Sequence, residues 1–129
     1  MLFMALDTQA LAADRGFQPA DLARLADLTE PDLSADGNTV VYTLTTANLE
    51  ADTSQSDLWR VNHDGSKRMQ LTHTADSSDW RPQWSADGQW IAFLSDRKKN
   101  PEDDGEEAMT QVWLMPAQAD YLLRAKMWL

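Results

Sequence analysis

Cysteine is absent from this chain of 129 residues. Its absence excludes disulfide bonds, thiolate zinc sites and a cysteine nucleophile. It does not fix the compartment, because a reducing cytosol and an oxidising periplasm both contain cysteine-free proteins.

Basic residues are also few: 11 Lys and Arg stand against 21 Asp and Glu, which gives a formal net charge of −10. Binding to nucleic acid requires a basic surface, and anionic membranes attract basic segments. The sequence therefore predicts that neither nucleic acid nor a membrane is a partner. An acidic balance of this kind favours solubility.

Long apolar runs are missing too, since none approaches the roughly 20 residues that cross a bilayer. Residues 1–16, MLFMALDTQALAADRG, contain a short apolar run that Asp7 interrupts, with no basic residue before it. Ala10-Leu11-Ala12 has the small-x-small form of a signal cleavage site. Two interpretations of this segment stay open: a disordered terminus and the remnant of a signal peptide.

What the sequence does contain is one unit written twice. LSADGNTVVYTL spans residues 33–44, and WSADGQWIAFLSDR spans residues 84–97. Ser34 and Ser85 are 51 positions apart, whereas Trp59 and Trp113 are 54 apart. In each copy an Asp-Gly turn leads directly into a strand-like run.

Alternation of apolar residues predicts strands near residues 39–46, 57–62, 68–72, 89–95 and 111–116, with a short strand at 82–84. We expect antiparallel pairing within each copy. Residues 19–25, PADLARL, predict a short helix, and Pro31 would end any continuation of it. Residues 90–94, WIAFL, have no polar face, which predicts a strand buried on both sides.

Repeats of about 40 to 50 residues with four short strands each are typical of propeller blades. The expected fold is therefore all-β: a partial β-propeller of about one and a half to two four-stranded antiparallel blades, with a short N-terminal helix. The blades are expected over residues 17–118. Residues 119–129, ADYLLRAKMWL, form an atypical tail that reads as helical and apolar, not as a fourth strand.

WSADGQWIAFLSDR, the later QVWLMPA and the opening PADLARLADLTEPDLSADGNTVVYTL resemble the propeller of the prolyl oligopeptidase family of serine peptidases. The resemblance is strongest to bacterial dipeptidyl and acylaminoacyl peptidases, and it covers residues 17–118. The repeat alone also resembles the periplasmic propeller protein of the Tol-Pal system. That second resemblance implies a stand-alone binding propeller that acts in protein–protein contacts.

In the peptidase family the propeller caps an α/β-hydrolase domain and admits small peptides to its Ser-Asp-His triad. The triad serine is expected in a G-x-S-x-G turn. No such motif occurs here, since Gly65-Ser66 belongs to a predicted hairpin turn, and no catalytic residue can be carried over. The resemblance thus implies a non-catalytic gating part of a serine peptidase, or a truncated gene product.

For the parent enzyme, the resemblance implies peptides as substrates, a hydrolase domain downstream, and a periplasmic or secreted location, with the cytoplasm left open. Fewer than two full blades cannot close a ring, so we expect the chain to self-associate through exposed blade edges.

Several side chains invite a functional interpretation that their context does not favour. His63 and His73 lack metal-like spacing, and Asp96 and Arg97 are expected to form a local salt bridge or turn hydrogen bond. Glu106 and Glu107 suggest a site for a peptide amino terminus, but they lie in an acidic loop, where we expect solvated side chains.

That loop, residues 102–107, also lacks the glutamate that a calcium loop needs. Tryptophans at five positions are interpreted as blade core and not as a stacking platform: Trp59, Trp80, Trp84, Trp90 and Trp113. The sequence thus predicts no catalytic, cofactor-binding or metal-binding residue, and no cofactor.

Overall fold

The computed structural model describes residues 16, 18–98, 102, 105, 107–118 and 126–127. Apart from Gly16, the predicted disordered or signal segment lies outside the described residues. So do Glu106 and most of the predicted tail.

A 3-10 helix and eight strands make up the described fold. The 3-10 helix spans Pro19–Arg24. The first four strands are β1 (Ala26–Leu33), β2 (Thr39–Asn48), β3 (Thr53–Asn62) and β4 (Met69–Gln70). The last four are β5 (Asp79–Trp84), β6 (Trp90–Ser95), β7 (Gln111–Pro116) and β8 (Lys126–Met127). None of the helices in the described residues is long and apolar enough to span a membrane.

The strands form two four-stranded antiparallel sheets, ordered β1-β2-β3-β4 and β5-β6-β7-β8. Each sheet is a meander in which every strand pairs with its successor in the chain. This arrangement confirms the prediction of an all-β partial propeller with two blades and a short N-terminal helix, which is of the 3-10 type.

The repeated SADG segments close identical turns through local hydrogen bonds. Ser34 Oγ donates to Asp36 Oδ1 at 2.6 Å and accepts the backbone N–H of Thr39 at 3.0 Å. Ser85 makes the same two bonds, to Asp87 and from Trp90. The bonds from the serine hydroxyls lower the pKa values of both aspartates below the ordinary value of the carboxyl.

The first strand of each sheet differs from the prediction. No strand was predicted at residues 26–33, which form β1, and β5 begins three residues before the predicted 82–84. Both strands contain a bulge: the register shifts between Thr29 and Asp32 and between Trp80 and Gln83. A proline is tolerated at a bulge because no ladder N–H is needed there.

Residues 126–127 of the tail form a strand, which corrects the helical interpretation for these two residues. Lys126 and Met127 pair with Leu114 and Trp113, so the second sheet has its fourth strand. Conversely, β4 is shorter than the predicted 68–72, although the backbone N–H of Leu71 still donates to Leu58 O at 2.7 Å.

The hydrophobic core lies between the two sheets, which pack face to face. The first sheet contributes Val41 and Leu58, and the second contributes a larger set that includes Ile91, Phe93, Trp113 and Met115. Cross-strand pairs identify these faces, because paired residues such as Phe93 and Trp113 point to the same side.

The opposite face of each sheet makes no contact with the other sheet. On the second sheet, the expectation that residues 90–94 are buried on both sides is wrong for this chain: Trp90 is 42% exposed, and Ala92 and Leu94 are only half-buried. The free face of the second sheet is defined by Trp80, Trp90, Ala92, Leu94, Val112 and Leu114. The corresponding face of the first sheet carries Leu28, Leu33, Val40, Leu44, Trp59 and Val61, together with Tyr42, which is buried.

Candidate functional site

The two histidines are not part of a common site. His63 lies in the turn after β3, where its backbone N–H donates to Asn38 O at 2.9 Å. His73 is exposed, with Nδ1 3.9 Å from Asp57 Oδ2. Within the described part of the chain, no group of three or more His, Asp or Glu side chains is placed to hold a metal ion. Glu107 is exposed there.

Asp57 is a buried carboxylate with an incomplete set of partners. It is 7% exposed, and its Oδ1 atom has no hydrogen-bond partner. Burial raises the pKa of Asp57 above its ordinary value, the nearby His73 opposes this shift, and the charge of Asp79 adds to it. The folded state therefore holds the proton of this carboxyl more strongly than the unfolded state does.

Arg97 forms a buried ion pair that sequence reasoning missed. The neighbouring Asp96 was one expected partner, but its Oδ1 accepts the backbone N–H of Ser78 at 2.7 Å. The guanidinium of Arg97 instead lies 2.6 Å from both carboxylate oxygens of Asp79, which is fully buried. The pair joins the start of β5 to the end of β6, and its 18-residue separation gives no local sequence signal.

Two aromatic rings and a serine complete the surroundings of Arg97. Its guanidinium carbon lies 4.8 Å from the centre of the Trp113 ring and 5.5 Å from that of Phe93. Its Nε donates to Ser95 Oγ at 2.9 Å. Desolvated cation–π contacts of this kind add to the attraction of the ion pair.

Arg97 also lines a cleft of about 510 Å³ between residues 74–77 and 96–98. Ser77 Oγ and Trp113 Nε1, both at this cleft, are buried and have no hydrogen-bond partner. Lys98 lines the same cleft. A hydroxyl, an indole N–H and two basic side chains suit a group that carries hydrogen-bond acceptors.

The second candidate surface is formed by the bulges of β1 and β5, which lie side by side. The carboxylate of Glu30 accepts the backbone N–H of Arg81 at 2.8 Å and its Nε at 3.0 Å. Asp32 Oδ2 accepts the backbone N–H of Trp84 at 2.7 Å. Glu30 and Arg81 both have φ of 53°, an unusual backbone conformation for residues other than glycine. We call Glu30, Asp32, Arg81 and Gln83 the inner-strand surface.

This surface is polar and open to solvent. The side chain of Arg81 is 68% exposed and that of Glu30 is 34% exposed. Gln83 is exposed as well. In a complete propeller the strands of each blade run outward from a central channel, beside which the first strands of these two sheets would lie. The geometry can therefore present one cationic, one amide and two anionic side chains to a molecule in the channel.

The tryptophans divide between core and surface. Trp113 belongs to the core, and Trp84 packs against it, as the sequence predicts. Trp59 is half-buried, with the guanidinium of Arg68 4.7 Å from its ring centre. Trp90 is exposed, so the core interpretation is wrong for that residue.

No protein-family model matches the chain. Among curated proteins, it is 41% identical over 71 residues to dipeptidyl-peptidase 5 of Porphyromonas gingivalis, a match covering 55% of this chain and 10% of the relative. The chain thus spans about a tenth of the length of the curated relatives it matches.

The solved structures that resemble the chain are also those of peptidases. The fold is similar to an acylaminoacyl peptidase of Pyrococcus horikoshii with a TM-score of 0.55 at 30% identity, covering 83% of this chain and 14% of that one. It is also similar to the β-propeller domain of the Trilobed protease from Pyrococcus furiosus, with a TM-score of 0.54 at 25% identity, covering 81% of this chain and 28% of that one. These similarities bear out the resemblance seen in the sequence: the chain is similar to part of several peptidases, and its fold is similar to the β-propeller domain of a protease.

Proposed function

We propose that this chain is a non-catalytic part of a peptidase propeller, and that it selects the peptides that reach a hydrolase domain joined downstream. The observation that carries the proposal is the inner-strand surface. There, two neighbouring blades place exposed Glu30 and Arg81 beside the expected channel. A channel with fixed charges at its wall discriminates between peptides by size and by charge.

The serines of the described residues support a non-catalytic role. Acyl transfer needs a nucleophile whose hydroxyl bonds to a base. Ser34 and Ser85 instead donate to Asp36 and Asp87 within their own turns, at 2.6 and 2.5 Å. In residues 18–98 and 107–118, no serine hydroxyl bonds to a histidine. The net charge of −10 further supports partners that are neither nucleic acid nor a membrane surface.

The first test uses the purified chain alone. We expect no hydrolysis of chromogenic aminoacyl or dipeptidyl amides and no labelling by a fluorophosphonate probe. Turnover that disappears on Ser34→Ala or Ser85→Ala, or stoichiometric labelling of one serine, would overturn the non-catalytic role.

The second test addresses selection. Residues 17–118 replace the matching segment of the Porphyromonas gingivalis relative, and kcat/KM is measured for acidic and basic peptides of equal length. Arg81→Gln should lower the preference for acidic peptides a few-fold, because it removes the positive charge of the inner-strand surface. Lys67→Gln is the control, since this exposed residue lies in the turn after β3. Equal effects of the two changes would argue against selection at this surface.

The uncovered faces of the two sheets also lead us to propose that the isolated chain self-associates.

A further inference from the structure

The cleft of about 510 Å³ beside Arg97 contains two polar side chains that the described fold leaves without partners. Trp113 is only 8% exposed, and within the described residues its indole N–H donates to no acceptor. The buried hydroxyl of Ser77, which lines the same cleft, has no partner among those residues either. Buried polar groups are nearly always hydrogen-bonded, because an unsatisfied group destabilises the fold. Two such groups at one cleft therefore indicate that a hydrogen-bonding partner enters it.

These two groups define one end of that partner. An indole N–H only donates, so the atom that meets Trp113 is an acceptor, and the hydroxyl of Ser77 can donate to the same group. Ser77 as a whole is only half-buried, and rotation about its Cα–Cβ bond turns the hydroxyl toward the cleft. Lys98 lines the cleft and adds a positive charge. A carboxylate suits all three side chains, because it is an anion with two acceptor oxygens.

Arg97 has a different role, because its guanidinium is already engaged. It pairs with Asp79 at 2.6 Å, donates to Ser95 at 2.9 Å and lies 4.8 Å from the centre of the Trp113 ring. These contacts fix the orientation of the indole that lines the cleft. A wall that is ordered before binding reduces the entropy that binding costs.

Two carboxylates in the same wall define the other end of the partner. Asp76 and Asp96 line the cleft together with Lys98. The charge of Arg97 is balanced by Asp79, so the rest of the described wall carries two negative charges and one positive charge. A dianion such as phosphate is repelled by such a wall, whereas an ammonium group is attracted to it. The complement of the cleft is a molecule with one carboxylate and one ammonium group.

We propose that the cleft binds a small zwitterion of about the size of a dipeptide. Its carboxylate accepts hydrogen bonds from Ser77, Trp113 and Lys98, and its ammonium group lies beside the two aspartates. The volume agrees with this size, since sites for small molecules measure about 300–1,000 Å³. No residue of the inner-strand surface lines the cleft, so the proposal does not rest on the selection of peptides proposed above. The other lining side chains are small and leave room for the ligand: Thr74, Ala75 and Ala108.

The test follows the indole N–H of Trp113 by NMR of the full chain with isotope-labelled tryptophan. Trp113→Phe identifies its signal among those of the six tryptophans. Alanylalanine should shift this signal downfield, because the N–H gains an acceptor, with a dissociation constant of about 1 mM for a ligand of so few atoms. Alanylalanine amide lacks the carboxylate and N-acetylalanylalanine lacks the ammonium group, so each should bind about tenfold more weakly. Inorganic phosphate should leave the signal in place.

Variants separate binding from structure. Ser77→Ala should weaken the binding of alanylalanine about tenfold without lowering the free energy of unfolding, because the buried hydroxyl has no partner within the described residues. Lys98→Gln should weaken binding a few-fold, whereas Lys67→Gln, in the exposed turn after β3, should have no effect. The proposal would be overturned by a Trp113 signal that alanylalanine does not move, by equal affinity for phosphate or the amide, or by a Ser77→Ala variant that loses stability and still binds normally.

Discussion

Replacement of Arg97 by methionine should destabilise the fold severely, although the side chain lies at the end of a strand. Methionine keeps most of the packing volume but removes the positive charge that lies 2.6 Å from both oxygens of Asp79. The carboxylate of Asp79 has no exposed surface, so the guanidinium compensates a charge that is shielded from water in the folded state.

The cost follows from this burial. Removal of one partner from a buried ion pair costs about 3–5 kcal/mol, because the other charge remains uncompensated. Loss of the desolvated contacts with the Trp113 and Phe93 rings adds about 2 kcal/mol. The free energy of unfolding of a domain is about 5–15 kcal/mol, so Arg97→Met should remove a large part of it. The corresponding fall in Tm is roughly 15 °C.

The chain contains its own control for this experiment. Arg81 pairs with Glu30 at 3.0 Å, but in an exposed setting, where such a pair contributes about 0.2–1 kcal/mol. Urea unfolding is followed by tryptophan fluorescence and by circular dichroism, at one low protein concentration. The reasoning would be refuted if Arg97→Met lowered the free energy of unfolding no more than Arg81→Met does. The double variant Asp79→Leu/Arg97→Met should recover most of the lost stability, because it removes both charges.

Asp57→Asn should stabilise the protein near neutral pH. Burial raises the pKa of Asp57 in the folded state, so the stability that its protonated form contributes is complete below pH 3.8, its ordinary pKa, and is lost as pH rises through the raised value. Urea midpoints of wild type and variant should converge at acid pH and separate above it; a constant difference would contradict this. Gly88→Ala should cost about 1 kcal/mol, because Gly88 has φ of 69° while an added Cβ meets no atom within 4 Å. Gly16→Ala, also in open space but without a positive φ, is the control, and equal thermal shifts would exclude a backbone cause.

Local patterns predicted the middle of each sheet well. Alternation placed β2, β3, β6 and β7, and the Asp-Gly pairs placed the turns, because all of these features depend on neighbours in sequence. β1 was missed because Pro31 and three acidic residues are unfavourable in a regular strand. The bulge that accommodates the proline depends on Glu30 at a positive φ, a conformation that a glycine would have signalled and a glutamate does not.

The candidate sites were also missed where they depend on residues that are distant in sequence. The sequence placed Arg97 beside Asp96, but tertiary packing brings it to Asp79, which the sequence analysis did not single out. The inner-strand surface was missed because Glu30 and Arg81 are 51 residues apart. The repeat itself predicted which residues occupy equivalent positions, but not which of the equivalent faces is covered.

The serine–aspartate turns have a consequence for how such chains grow. Every polar group that holds the turn at Ser34 comes from within six residues, and the turn at Ser85 is built in the same way. A duplicated gene segment therefore brings a complete turn with it and needs nothing from its new neighbours. The faces have no such independence, since Thr43 and Arg60 in one copy have become Leu94 and Leu114 in the other. When repeats are added by duplication, the serine–aspartate turns can stay unchanged, and the substitutions occur on the faces that pack between sheets.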